Sequence, residues 1–195
     1  MSNLIKEEDI KEQSTNQYEE VIENIDNKYG NGNCTYNDLE DIAKEMLSSI
    51  PKLDRKALRK EMGEMHVDVF TDPTTANINE GLALVQGYKE RLAGILVLAQ
   101  REYQVRAKVF DMLMSACMVV SKQSSADKRK GEAVMRYPHQ LIHLEAAETF
   151  MTEVKQFLDN MKAVGETISR QVSVLQLQLS IGEIHKKPAE EVDWN

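Results

Sequence analysis

The stretch AQREYQVRAKV, residues 99–109, sets Arg106 and Lys108 two positions apart inside an otherwise apolar helical seam. Cations neutralise phosphate, but on a helix of 3.6 residues per turn these two lie about 200° apart. They cannot both grip one small anion. An extended polyanion, met by neighbouring subunits or through the long side chains, suits them better; the plainer reading is two flanking charges on a long amphipathic helix. Arg101, Lys122, Lys128, Arg129 and Lys130 add either further phosphate contacts or a solvated linker. Tyr103 and Phe110 can stack on bases, although their helical spacing places them in a core. His139 and His143, four apart near a helix start, have the spacing to share a metal, but no Cys or carboxylate stands at ligand distance in sequence. We read them as solvated or partner-facing and expect no metal and no cofactor. There is no GxxxxGK[ST], HExxH or GxSxG pattern, and we expect no enzymatic activity.

The elements that must position these residues are helices. Gly and Pro are few, and Ala, Leu, Glu, Lys, Gln and Met fill the chain. Residues 1–34 form an acidic arm ending in YGNGNC, expected to be flexible or only partly helical. Residues 35–66 hold two short helices: Thr35 with Asp38 starts one that Pro51 ends, and Asp54 starts the next. Asp72 before Pro73 predicts the N-cap of a helix of about 45 residues reaching Lys122. Its expected stripe is Val85, Tyr88, Leu92, Ile95, Ala99, Tyr103, Phe110, Leu113, Cys117 and Val120. Gly81, Gly87 and Gly94 weaken it locally and permit close helix contact or a bend. Ser124 with Asp127 predicts a short basic helix. A second long helix follows Pro138 to about Ile184, with a stripe at Ala147, Phe150, Val154, Phe157, Met161, Val164, Ile168, Val172, Leu175 and Leu179. That stripe exceeds what one partner helix covers, so Val164, Ile168, Val172, Leu175 and Leu179 are expected to drive self-association. The long-helix domain spans residues 67–184, and an acidic tail, residues 185–195, carries Trp194 as a possible docking residue. The fold class is all-α: two long antiparallel amphipathic helices with short N-terminal helices, assembling into a helical homo-oligomer.

At 195 residues one core is expected. The longest apolar runs, GILVLA and MLMSACMVV, fall short of the roughly 20 residues a membrane span needs, and the acidic N-terminus lacks a secretory leader pattern. Cys34 and Cys117 have no CxxC partner, which suits a reducing compartment, with Cys117 a core residue. We therefore expect a soluble, cytoplasmic protein. Residues 1–50 carry twelve acids against four lysines, so the whole formal charge of −8 sits there. From 101 to 136 the sign reverses, which gives an acidic protein a basic working surface. The acidic arm either imitates nucleic acid, covering that surface or engaging a basic partner, or is a charged tail without a partner.

Ala99-Gln100-Arg101 followed by Val105-Arg106-Ala107-Lys108-Val109 resembles a segment of the phage recombination mediators of the UvsY type, in which Leu-Lys-Ala-Arg-Leu stands at the same distance from Ala-Gln-basic. DVFTD at 68–72 resembles the region near that family's N-terminus, SSADKRKGEA its linker between long helices, and the C-terminal helix has the family's position and apolar character. The resemblance spans residues 67–184. Residues 1 to about 60 have no counterpart there, and the helix between DVFTD and AQR is shorter. The resemblance implies a bacteriophage protein of DNA recombination, repair and replication. Such a protein forms a ring-like homo-oligomer, hexamer to heptamer, binds single-stranded DNA through Arg106 and Lys108, and loads a recombinase onto DNA coated with single-strand-binding protein. The contrasting expectation is a helical oligomerisation or structural phage protein that binds no nucleic acid.

Overall fold

The computed structural model describes residues 19–30, 34–69 and 74–186. Of these, 87% are helical, in six helices, and no strand is found among the described residues. The helices are α1 (19–29), α2 (Tyr36–Ser48), α3 (Arg55–Glu64), α4 (Thr75–Val120), α5 (Ala126–Arg136) and α6 (Pro138–Lys186).

Each start has a local cause. Thr35 and Asp38 form the expected capping box of α2, and Asp54 accepts from the backbone N–H groups of Lys56 and Ala57 to begin α3. The long helix α4 is capped by Thr74, whose side chain accepts from Asn77 N; Asp72 and Pro73, expected as cap and first turn, lie outside the described residues. The cap of α5 is Ser125 rather than Ser124, because its hydroxyl reaches Lys128 N three residues on. Pro138 opens α6, where its missing N–H costs no hydrogen bond. Within the arm, residues 19–29 are helical and Lys28 meets Glu45 of α2 at 3.1 Å. Residues 1–18 and 31–33 of the arm and residues 187–195 of the tail, Trp194 among them, lie outside the described residues.

The two long helices pack together and build most of the core. Val85, Leu92, Ile95 and Ala99 of α4 meet Phe150, Val154, Met161 and Ile168 of α6, with Met62 and Val67 closing one side. Small residues set the approach: Gly81 lies under the Ile168 side chain, and Gly165 lies against Val85. Two bidentate pairs, Arg59 with Glu153 and Arg91 with Glu61, tie α3 to both long helices. A second cluster gathers Val105, Val109, Leu113, Met114 and Cys117 of α4 with Ala43 of α2, Ala133 of α5 and Tyr137. Cys117 is a buried core residue, as expected, and Cys34 is exposed.

Between residues 99 and 113 the buried line of α4 departs from the expected stripe. It runs through Glu102, Val105 and Val109, leaving Tyr103 and Phe110 half-buried and Val120 exposed. Phe110 packs on the second cluster. Among the described residues no helix is long and apolar enough to cross a membrane.

Candidate nucleic-acid interface

The structure separates the two cations that open the question. Lys108 is exposed and shares a groove of about 410 Å³ along α4 with Arg101, the amides Gln100 and Gln104, and Val97 and Val105. Residues 101 and 108 are seven apart, two turns of helix, and so fall on one face about 10 Å from each other along the axis. Arg106 points elsewhere. Its Nε donates to Glu102 Oε1 at 2.8 Å, and Arg55 Nη2 from α3 donates to the same oxygen at 2.6 Å.

Glu102 is the charged residue inside the α4 seam, its side chain only 5% exposed, against 21% for Arg106 and 20% for Arg55. A carboxylate so buried is tolerated when paired and hydrogen-bonded. The triad carries a net positive charge, and its two arginines are only partly exposed. One function of Arg106 is therefore structural, which answers why a cation sits in the seam.

The other expected cations are spread out. Lys122, Lys128 and Lys130 are exposed around and on α5, and Arg129 is half-buried there. Arg136 lies over the Tyr36 ring at 4.7 Å. The phenol of Tyr137 is shared between the Tyr36 hydroxyl and Glu40, and burial pushes it above the ordinary tyrosine range, the Tyr36 hydrogen bond adding to the shift. His139 and His143 line a smaller cavity with Arg106. Among the described residues no three His, Cys, Asp or Glu side chains gather as a metal site.

No known protein family matches the chain, no curated protein matches it, and no solved structure matches its fold. What the surface can do follows from its own geometry.

Of the five residues expected to drive self-association, Ile168 is buried in the intrachain core, and Val164, Val172 and Leu175 pack against that core. Leu179 is exposed, together with Val174, Leu177 and Ile181. A second basic groove, between α4 and α6, was not expected from the sequence. Lys89, Lys162 and Arg170 line it with Gln86, Ser169 and Glu166. Gly165 sits in its wall, and a glycine inside a long helix, three residues after one cation and five before another, was the available signal.

Proposed function

We propose that the chain is a non-enzymatic recombination mediator that binds single-stranded DNA along the α4 groove, self-associates through α6, and helps load a recombinase onto DNA covered by single-strand-binding protein. The observation that carries the reading is the groove itself: Arg101 and Lys108 stand on one face, with the Gln104 amide between them and that of Gln100 beside Arg101. Such a surface offers phosphate contacts without base-edge readout, which suits a sequence-tolerant ligand. Arg106 contributes on the opposite side, and the α5 cations extend the positive surface.

An antiparallel arrangement of the long helices is supported by two pairings, Gly81 with Ile168 and Gly165 with Val85. In that register the start of α4, Thr75, lies opposite about residue 174 of α6, and the remainder of α6 projects beyond it. Val174, Leu177 and Ile181, spaced three and four apart, then form an exposed apolar stripe on the projecting part, with Leu177 61% exposed. Burying that stripe between copies multiplies a weak positive surface into a ring. Leu177→Asp with Ile181→Asp is expected to split the assembly in size-exclusion chromatography with light scattering while the helical content stays.

Fluorescence anisotropy with a labelled oligonucleotide tests the DNA reading. Binding is expected at low salt, falling with a slope of about −0.7 per neutralised phosphate in log affinity against log salt. Arg101→Ala with Lys108→Ala is expected to weaken it by about tenfold or more. Unchanged affinity in that double variant would remove the mechanism. The second reading, a helical structural protein without nucleic-acid binding, is favoured by Arg55, Arg59 and Arg106, each spent on a carboxylate of its own chain. It predicts an intact assembly and no anisotropy change even in dilute buffer.

A further inference from the structure

We propose that the cavity where Arg106 meets the start of α6 is a binding site for a single phosphate group, either free phosphate or the terminal phosphate of a nucleic-acid strand. Arg106, His139, Gln140 and His143 line it, with Leu47 of α2 and Val109 as its apolar wall, around a volume of about 80 Å³. That is on the order of two or three waters. The space is of a size for one tetrahedral oxyanion.

The arginine donor is held in place. Arg106 Nε is fixed on buried Glu102, so the guanidinium is oriented, and its terminal N–H groups make no other hydrogen bond among the described residues. Glu102 is shared with Arg55, so its single negative charge leaves the three-residue cluster with a net positive charge. His139 and His143, both exposed, are one turn apart on α6 and share one side of it, with Gln140 beside them. His139 and Gln140 also lie in the first turn of a 49-residue helix, where the backbone favours negative charge. A metal ion, the use suggested by the histidine spacing alone, is opposed by the guanidinium beside them and by the lack of a third ligating side chain among the described residues.

The site deepens the DNA reading only where the phosphate comes from a strand; binding of free phosphate does not depend on it. Histidine ring C–H resonances report the test, since the chain has four histidines and exposed His66, paired with Asp68, serves as an internal reference. Inorganic phosphate is titrated at fixed pH against chloride of equal ionic strength. Resonances of His139 and His143 are expected to shift saturably while that of His66 stays. Arg106→Gln is expected to weaken the affinity by about tenfold or more. Gln140→Ala, which leaves the ion-pair cluster intact, is expected to weaken it by about threefold.

A short oligonucleotide with a 5′-phosphate that displaces phosphate, where the same strand without it does not, assigns the terminal group as ligand. Displacement by neither strand assigns free phosphate. No saturable shift at His139 and His143, or equal affinity in both variants, overturns the site. Strand binding with no histidine response would sink the site and spare the α4 groove; histidine response without strand binding would do the reverse.

Discussion

The two halves of α4 are built on different principles although they belong to one uninterrupted helix. Residues 75–99 bury an apolar stripe mainly against one long partner, α6, with Met62 and Val67 closing one side, and among the described residues no polar or charged side chain of this stretch is buried. Residues 100–120 bury theirs against three shorter pieces, α2, α5 and the start of α6, and polar groups enter the interior: Glu102, the Tyr137 phenol, and Ser49, whose hydroxyl donates to Met46 O. Short helices cannot cover a long stripe continuously, and the joints between them admit polar groups that must be paired. Those joints hold fixed donors, and both candidate sites lie on this half. The first half carries the larger apolar core, with the groove of Lys89, Lys162 and Arg170 at its surface; the second half holds both proposed sites.

If that division is right, truncation in the dry half has the largest effect on stability. Phe150 is fully buried beneath Arg55 and Arg59, whose guanidiniums lie 5.9 and 5.6 Å from the ring centre. Phe150→Ala is expected to cost about 3–5 kcal/mol in denaturant unfolding followed by circular dichroism. A loss under about 1 kcal/mol would mean that this half is loosely packed, and the contrast would fail.

The next largest effect belongs to the joint. Glu102→Gln leaves two guanidiniums around a neutral amide and is expected to cost about 2 kcal/mol, discounted because both arginines reach solvent. Replacing the whole cluster by Arg55→Met, Glu102→Leu and Arg106→Met is expected to recover most of that loss, since an apolar trio needs no compensating charge. It should also abolish the phosphate response of His139 and His143. Recovery of stability with loss of binding sharpens the division between packing and chemistry; failure to recover would mean that the cluster specifies how α3 docks.

These differences explain what could be read from the sequence. The helices and the Thr35–Asp38 box were legible because they depend on neighbours in the chain, and a proline-free stretch that contains all 46 residues of the helix announces α4. The line from Ala99 to Leu113 was misplaced because two phases of the helical period fit there, and an apolar count selects Tyr103 and Phe110 over Glu102. Glu102 and Arg106 stand four apart, a local signal for a pair. What settles the phase is Arg55, forty-seven residues earlier, a contact that no local pattern reports. The partnership of Arg101 with Lys108 was readable as a seven-residue spacing, whereas that of Arg106 with His139 and His143 exists only once α6 has folded back.

Glycine substitutions probe the dry half at lower energy. A Cβ at Gly87 meets nothing within 4 Å, so Gly87→Ala is expected to gain about 1 kcal/mol from helix propensity alone. That corresponds to a rise of about 2–4 °C in Tm for a chain of this length. At Gly165 the added carbon would stand 3.0 Å from Val85 Cγ1. Valine in a helix has one strongly preferred rotamer and yields little, so Gly165→Ala is expected to lose most or all of that gain. Equal stabilisation at both positions would show that the long helices approach less closely than the Val85–Gly165 contact implies.

The smallest effect is at the edge of the second half, where α2 begins. The Thr35 hydroxyl and its backbone N–H both donate to Asp38 Oδ2 at 2.6 Å, and the hydroxyl hydrogen bond, then the backbone one, hold the Asp38 carboxyl below its usual range. A carboxyl whose folded value is depressed stabilises the fold above its unfolded value, about 3.9, and loses that contribution as pH falls through the folded value. Asp38→Asn imitates the protonated side chain at all pH values. Its Tm is expected to lie below that of the parent at neutral pH, and the difference should shrink to nothing in acid. Asp41, held low by the Lys44 hydrogen bond and ammonium charge, titrates in the same direction in both proteins, and loss of the Asp38 charge, the smallest influence on it, lowers it only slightly further. A difference that persists unchanged into acid would assign the cap to shape rather than charge, and the start of α2 would then stand outside the electrostatic half of the molecule.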